Sequence, residues 1–216
     1  MRAIIVASGH STDDISQHQW IQEGDLLIGA DGGAGQVLRW GLVPQFVIGD
    51  MDSLSELARQ QLAAKGAKFQ DHPRAKDETD LELALSFAAK QGAEEIIILG
   101  ALGGRLDHTL SNLLLLTLPS LEGVALRIVD GPEEVLLVRG GEAVTLSGGP
   151  GDLVSLLPWG GDVHGITTQG LAWTLEGDTL KFGFSRGVSN EMDASEARIA
   201  VEAGQLLVVH GPRPTE

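Results

Sequence analysis

The sequence predicts a chain of two parts, an N-terminal α/β domain built on a parallel sheet and a C-terminal all-β domain. Three observations predict it. Up to residue 131, short apolar runs alternate with helix-like segments, the pattern of a parallel sheet covered by helices. From Pro132 onward helical periodicity fades, and short β-like runs are separated by glycine-rich turns. Hydrophobic residues make up 43% of the 216, enough for a substantial core.

In order along the chain, strands are expected at residues 3–8, 26–30, 46–49, 67–70, 95–100 and 125–129, each a short apolar run bounded by turn residues. Helices are expected near 34–40, 55–65, 79–91 and 108–118. The third is the best defined, because Leu81, Ala84, Leu85 and Ala88 fall at helical spacing on one face and Thr79 or Asp80 can cap its start. In the second part, β-like runs occur at 135–138, 143–146, 153–156, 171–175, 179–182 and 205–209. Turns are expected at Gly148-Gly149-Pro150-Gly151 and Glu176-Gly177-Asp178. The domains are therefore set at 1–131 and 132–216.

Charge and composition narrow the function. With 30 acidic against 15 basic residues, the formal net charge of -15 repels nucleic acid and anionic membranes and attracts cationic substrates. A bound nucleotide needs divalent metal with local arginine, lysine or backbone amides to offset that field. No run approaches the roughly 20 uncharged apolar residues of a membrane span, and Met1-Arg2-Ala3-Ile4-Ile5-Val6 reads as a buried strand rather than a leader. A cytoplasmic protein is expected. The lack of cysteine removes disulfides, thiolate metal sites and cysteine nucleophiles.

Ligands of open parallel sheets bind at the carboxyl edge of the strands, and four segments rich in aspartate and glycine fall there. In Gly49-Asp50-Met51-Asp52-Ser53, two carboxylates follow a strand and can aim oxygens at one hard cation such as magnesium, although Asp52 or Ser53 would also serve as a helix cap. Asp77 and Asp80 in Asp77-Glu78-Thr79-Asp80 can add oxygens to that site or compensate a helix dipole, and Lys76 can neutralise a phosphate or stand in solvent. Gly103-Gly104-Arg105 offers backbone for close approach to phosphate and an arginine for a bidentate grip, with Asp107 and His108 opening the next helix; a tight turn and an N-cap are the plainer readings. Asp31-Gly32-Gly33 is a turn or part of a nucleotide cradle. No Walker lysine loop or dinucleotide glycine fingerprint follows a strand, which excludes those two nucleotide-binding modes. In the β region, Trp173 can stack on a flat or cationic ring, or sit in a sheet face, while Ser185-Arg186-Gly187-Val188-Ser189-Asn190-Glu191 carries polar groups able to orient one.

Six segments in this order, Asp31-Gly32-Gly33, Gly49 to Ser53, Asp77-Glu78-Thr79-Asp80-Leu81-Glu82, Gly100 to His108, Gly170-Leu171-Ala172-Trp173 and Ser189-Asn190-Glu191, resemble the thiamine pyrophosphokinase family over nearly the whole chain. The resemblance implies an α/β domain that binds ATP and magnesium, a C-terminal β-sandwich that binds thiamine and dimerises, and a homodimer with thiamine sites between subunits. It implies Asp50, Asp52 and Asp80 as metal-associated residues. Asp31, Gly32, Gly33, Lys76, Gly103, Gly104, Arg105, Asp107 and His108 fall on the nucleotide side. Arg105 would act with the carboxylates in catalysis, Asp77 or Asp80 is the candidate for any base, and Trp173, Ser189 and Asn190 are placed at thiamine. Met51 stands where the family often has phenylalanine. The rival readings are a pyrophosphokinase for a hydroxymethyl pterin and a non-catalytic nucleotide sensor.

Overall fold

The protein is described by a computed structural model covering residues 1–9 and 15–214. It divides into two compact units, Met1–Gly131 and Pro132–Glu216.

The first unit contains β1 (Arg2–Val6), β2 (Leu26–Ala30), β3 (Phe46–Gly49), β4 (Lys68–Asp71), β5 (Glu95–Leu99) and β6 (Ala125–Asp130). These pair in parallel in the order β6-β5-β1-β2-β3-β4. Ile4, Ile5, Ile96, Ile97 and Ile98 are fully buried, because both faces of the central strands are covered; hence the unbroken apolar runs in the sequence. The covering helices are α1 (Gly33–Arg39), α2 (Glu56–Ala64), α3 (Asp80–Lys90) and α4 (Leu106–Leu115). α4 begins two residues before the expected 108 and ends at Leu115.

Helix α3 buries Leu81, Ala84, Leu85 and Ala88, the stripe read from the sequence, and packs on β1, β2 and β3. Its cap is Thr79, whose hydroxyl accepts from the Glu82 N–H at 3.2 Å, and α2 is capped by Ser55, which accepts from the Ala58 N–H at 3.2 Å. The carboxylates of Asp52 and Asp80 are thereby released from capping. From β1 the chain builds outward to β4, and α3 then carries it back to β5 on the other side of β1. The strand order reverses there, opening a crevice at the carboxyl ends of β1 and β5.

The start of β1 is tied by Arg2, which donates to both carboxylate oxygens of Asp25 at 2.9 and 2.8 Å. Burial opposes the charge on Asp25, but Arg2 and the Gln22 N–H outweigh it and hold the carboxyl below its ordinary range. A depressed carboxyl stabilises the fold at pH values above about 4 and loses that contribution as pH falls through its folded value. Asp25→Asn should therefore destabilise the protein by about 2 kcal/mol at pH 7. Denaturant unfolding repeated at pH 3 should show the wild type and the variant drawing together.

The second unit contains β7 (Glu133–Arg139), β8 (Ala143–Ser147), β9 (Leu153–Pro158), β10 (Val163–Gln169), β11 (Asp178–Leu180), β12 (Asn190–Glu191), β13 (Glu196–Ala200) and β14 (Gln205–Gly211). They form two antiparallel layers, β12-β9-β14-β7 and β11-β10-β13-β8. Leu136, Val138, Leu156, Leu206 and Val208 of the first layer share one core with Leu146, Ile166, Leu180 and Ile199 of the second, which makes the unit a β-sandwich. Residues 171–175 are not a strand. Gly170 turns the chain at φ +71°, where a Cβ would lie 2.1 Å from the Glu196 carbonyl oxygen, and beyond it Leu171 makes an isolated bridge to Met192. Strands β10 and β13 were not expected, because buried residues alternate in them with exposed polar ones and no apolar run forms.

Candidate active site

A cavity of about 680 Å³ lies at the carboxyl edge of the parallel sheet. Ala7, Ser8 and Gly9 reach it from β1, Ala30 from β2 and Asp50 from β3. The loop after β4 brings Arg74, Lys76 and Glu78, and α3 begins there with Asp80. The opposite wall comes from Gly103, Gly104, Arg105, Asp107 and His108, with Ser111 and Asn112 farther along α4.

One carboxylate oxygen each from Asp31, Asp50 and Asp52 fall within 4.8 Å of one another. Local backbone strain builds this cluster. Among the described residues the non-glycine positions with positive φ are Asp31 at 46°, Met51 at 62° and Ser189 at 59°, each inside a segment singled out from the sequence. Such conformations cost about 1–3 kcal/mol each and persist where the surroundings enforce them. The left-handed turn at Met51 lets Asp50 accept the Asp52 N–H at 3.1 Å.

Asp80 joins the cluster through Gly49. A Cβ at Gly49, whose φ is +146°, would lie 2.8 Å from the Asp80 carboxyl carbon and 3.0 Å from Asp31 Cβ, so the Asp80 carboxyl rests on bare glycine backbone. Asp80 Oδ1 is buried without a well-directed hydrogen bond; its neighbour is the Lys76 ammonium at 3.0 Å. Lys76 also lies 3.5 Å from Asp50, and Arg74 lies 3.1 Å from Asp52. Hard oxygen donors from the ends of β2 and β3 and the start of α3, one of them a buried atom with an ion pair but no well-directed hydrogen bond, suit a small divalent cation such as magnesium.

The protonation energetics follow this geometry. Burial raises the Asp31 carboxyl above its ordinary range, opposed by hydrogen bonds from Ser53 and backbone and assisted by the charge of Asp80. The Asp52 N–H, with Lys76 nearby, holds the Asp50 carboxyl low. Burial works against the Lys76 ammonium, but Asp80 and Asp50 overcome it and raise its pKa.

On the opposite wall, Gly103 and Gly104 are both left-handed, with φ of 79° and 69°, a turn that presents successive N–H groups. Thr109 Oγ1 donates to the Gly103 carbonyl at 3.3 Å, and Asn112 Nδ2 to the Ala101 carbonyl at 2.6 Å, fastening the loop to α4. Arg105 pairs with Asp107 through Nε at 3.1 Å; the pair is exposed, and each holds the other in its charged form.

Not all candidates meet at the cavity. Asp77 is exposed and outside the lining. Asp31 and Asp52 stand behind Asp50 without lining the cavity themselves, and Gly32, half-buried, and Gly33, buried, are outside it too. Gly33 has a packing role, since a Cβ there would stand 1.9 Å from the Val6 carbonyl oxygen and push α1 off β1. Arg74, Ser111 and Asn112 escaped the sequence reading. Helical spacing from His108 could have found the last two, and the pattern Arg74-Ala75-Lys76 beside acidic segments the first.

In the second unit a groove of about 580 Å³ is lined by Trp173, Leu156, Thr174, Arg186, Val188 and Asn190 among others. Trp173 is 60% exposed, while its backbone is fastened by Asn190. Asn190 Oδ1 accepts the Trp173 N–H at 3.1 Å, and Nδ2 donates to the Trp173 carbonyl at 2.7 Å. Asn190 Oδ1 also accepts the Glu191 N–H at 2.8 Å. Asn190 is thus a positioning residue, 5% exposed, with its amide directed at Trp173. Ser189, left-handed and exposed, donates its N–H to Ser155 Oγ at 3.0 Å and lies outside the groove lining. Asn190→Ala should release the Trp173 segment and raise KM for the ring-bearing substrate about tenfold, within the ~1–3 kcal/mol of an unsatisfied buried group, leaving KM for the nucleotide unchanged. Steady-state kinetics varying each substrate separates the two.

Comparison with known proteins follows the same division. Residues 17–128 match the family described as thiamin pyrophosphokinase, catalytic domain, and residues 143–206 match thiamin pyrophosphokinase, vitamin B1 binding domain. Thiamine pyrophosphokinase of Bacillus subtilis (strain 168) is 28% identical over 190 residues, covering 88% of this chain and 89% of that protein. Thiamine pyrophosphokinase 1 of Oryza sativa subsp. japonica is 28% identical over 206 residues, covering 85% and 78%. The Bacillus subtilis crystal structure superposes with a TM-score of 0.88 at 28% identity, over 99% of this chain and 100% of that one. Thiamin pyrophosphokinase from Candida albicans shares the fold, with a TM-score of 0.81 at 14% identity over 98% and 89% of the two chains.

Proposed function

The chain belongs to the thiamine pyrophosphokinase family, and from that premise we infer how its residues carry out the reaction. It transfers pyrophosphate from ATP to the hydroxyl of thiamine, giving thiamine diphosphate and AMP. The observation that carries the assignment of the site is the meeting of the Asp31, Asp50 and Asp52 oxygens beside a cavity that also holds Lys76, Asp80 and Arg105.

In this transfer the thiamine oxygen attacks the β-phosphorus in line and AMP leaves. Magnesium, which we propose is held by Asp50, Asp52 and Asp80 with Asp31 beside them, supplies charge neutralisation at the phosphate oxygens when bound. Gly103, Gly104 and Arg105 bind the phosphates, the glycines through N–H groups and the arginine through a bidentate grip after leaving Asp107. Lys76 and Arg74 add positive charge from the other wall. Such reactions depend mainly on positioning and electrostatics, so a strong base is not required. Of the two candidates for a base, Asp80 lines the cavity and Asp77 does not. Trp173 offers a flat exposed ring for thiamine, its backbone fixed by Asn190.

The proposal extends to assembly and place. A homodimer is supported by the exposed apolar residues Trp173, Phe182, Phe184 and Val188 in the second unit, and light scattering on the purified protein checks it. We also propose a cytoplasmic location, in keeping with a reaction that consumes ATP; separately, no helix among the described residues is long and apolar enough to cross a membrane.

The deciding experiment follows AMP formation from ATP and magnesium with thiamine, and separately with a hydroxymethyl pterin. AMP should appear only with thiamine and should vanish on chelation of the metal. AMP release independent of thiamine would refute the assignment.

A further inference from the structure

The carboxylates of the proposed metal site already have cationic neighbours, and both come from one loop. Lys76 Nζ lies 3.0 Å from Asp80 Oδ1 and 3.5 Å from Asp50 Oδ2, and Arg74 Nη2 lies 3.1 Å from Asp52 Oδ2. Both residues sit between β4 and α3, and both line the cavity. The Lys76 side chain is only 12% exposed, so its two pairings are screened far less than a surface lysine's. Asp50, Asp52 and Asp80 are thus each balanced by a cation borne on residues 74–76.

We propose that this loop is a countercharge switch: Lys76 and Arg74 balance the carboxylates until a divalent cation takes over that task, and they then turn to the triphosphate, so that metal and nucleotide bind with positive coupling. A divalent cation and an ammonium among the same oxygens repel each other, and the ammonium, on a flexible four-carbon stem, is the one free to move. The nearest new anion for it is a phosphate in the same cavity. Each ligand therefore lowers the cost of binding the other, and thermodynamic linkage makes the effect reciprocal. The inference rests on reading the cavity as a magnesium-nucleotide site.

Titration calorimetry on the full chain tests it, with magnesium chloride alone and then with the magnesium complex of α,β-methylene ATP, in which the bond to be broken is replaced. In Lys76→Met, magnesium alone should bind at least about fivefold tighter and the nucleotide complex at least about fivefold weaker, at the lower end of typical coupling between sites. Arg74→Gln should shift both in the same senses by less, because its side chain is 83% exposed, and it keeps the test available should Lys76→Met fail to fold. Lys76→Arg should restore the wild-type order. A purely structural role would weaken both affinities together, and that result overturns the switch. If the wild type binds both ligands but Lys76→Met and Arg74→Gln leave both affinities unchanged, the switch alone fails; if the wild type binds neither, the site assignment fails with it.

Discussion

Asp50→Asn is expected to lower kcat/KM by two orders of magnitude or more, about 3 kcal/mol in the barrier, while the protein remains folded. Asparagine keeps the side-chain oxygen that accepts the Asp52 N–H at 3.1 Å, so the left-handed turn at Met51 survives. What disappears is the charge. The Asp50 carboxylate faces Lys76 and shares a 4.8 Å cluster with Asp31 and Asp52, so its loss takes one hard donor from the proposed metal site and one partner from the lysine. Kinetics at saturating magnesium, with circular dichroism and thermal melts on the same sample, check both halves of the prediction. Turnover at the wild-type level would sink the metal assignment.

Gly49→Ala should be nearly as damaging although the residue bears no functional group. A left-handed backbone at φ +146° is strained for any L side chain, at a cost of about 1–3 kcal/mol. The new methyl would also stand 2.8 Å from the Asp80 carboxyl carbon and 3.0 Å from Asp31 Cβ. The strand end is fixed by the His72 N–H donating to the Gly49 carbonyl at 2.8 Å, so Asp80 must give way. Misplacing a site group by an ångström can cost about a hundredfold in rate, and a loss of that size is expected together with weaker magnesium binding. Denaturant unfolding separates the strain from the activity loss, because Gly66→Ala, at a left-handed turn with open space around it, carries strain without displacing a carboxylate. Equal losses of activity in the two variants would refute the role of Gly49.

Most of the fold was legible because apolar spacing is a local property. The stripe Leu81, Ala84, Leu85 and Ala88 announced α3, and the unbroken apolar runs 3–6 in β1 and 96–99 in β5 announced a sheet covered on both faces. Where local signals competed, the sequence stayed ambiguous. Thr79 and Asp80 are both good caps, and the choice fell to backbone angles: Thr79 is extended, with ψ 160°, and Asp80 is already helical. The run at 171–175 looked like a strand because Leu171, Ala172, Trp173 and Leu175 make it a short apolar run beside a glycine, but Gly170 and the Asn190 amide shape it into a pinned turn instead.

The acidic and glycine-rich segments, their order and the family they resemble were determined by the sequence alone, since each motif is contiguous. Which carboxylates meet was decided by tertiary structure. Asp31 read as part of a nucleotide cradle, yet parallel pairing of Ala30 with Ile48 sets the ends of β2 and β3 side by side and brings Asp31 to Asp50 and Asp52. By spacing alone Asp77 and Asp80 could both add oxygens to the site, yet the start of α3 presses Asp80 against Gly49 and leaves Asp77 in solvent. Arg74 finds Asp52 and Lys76 finds Asp50 across more than twenty residues of chain, because the loop after β4 must cross the ends of its neighbours to enter α3, whereas the Lys76–Asp80 pair is local, four residues apart. Distances of that kind are set by strand order, and no local pattern encodes them.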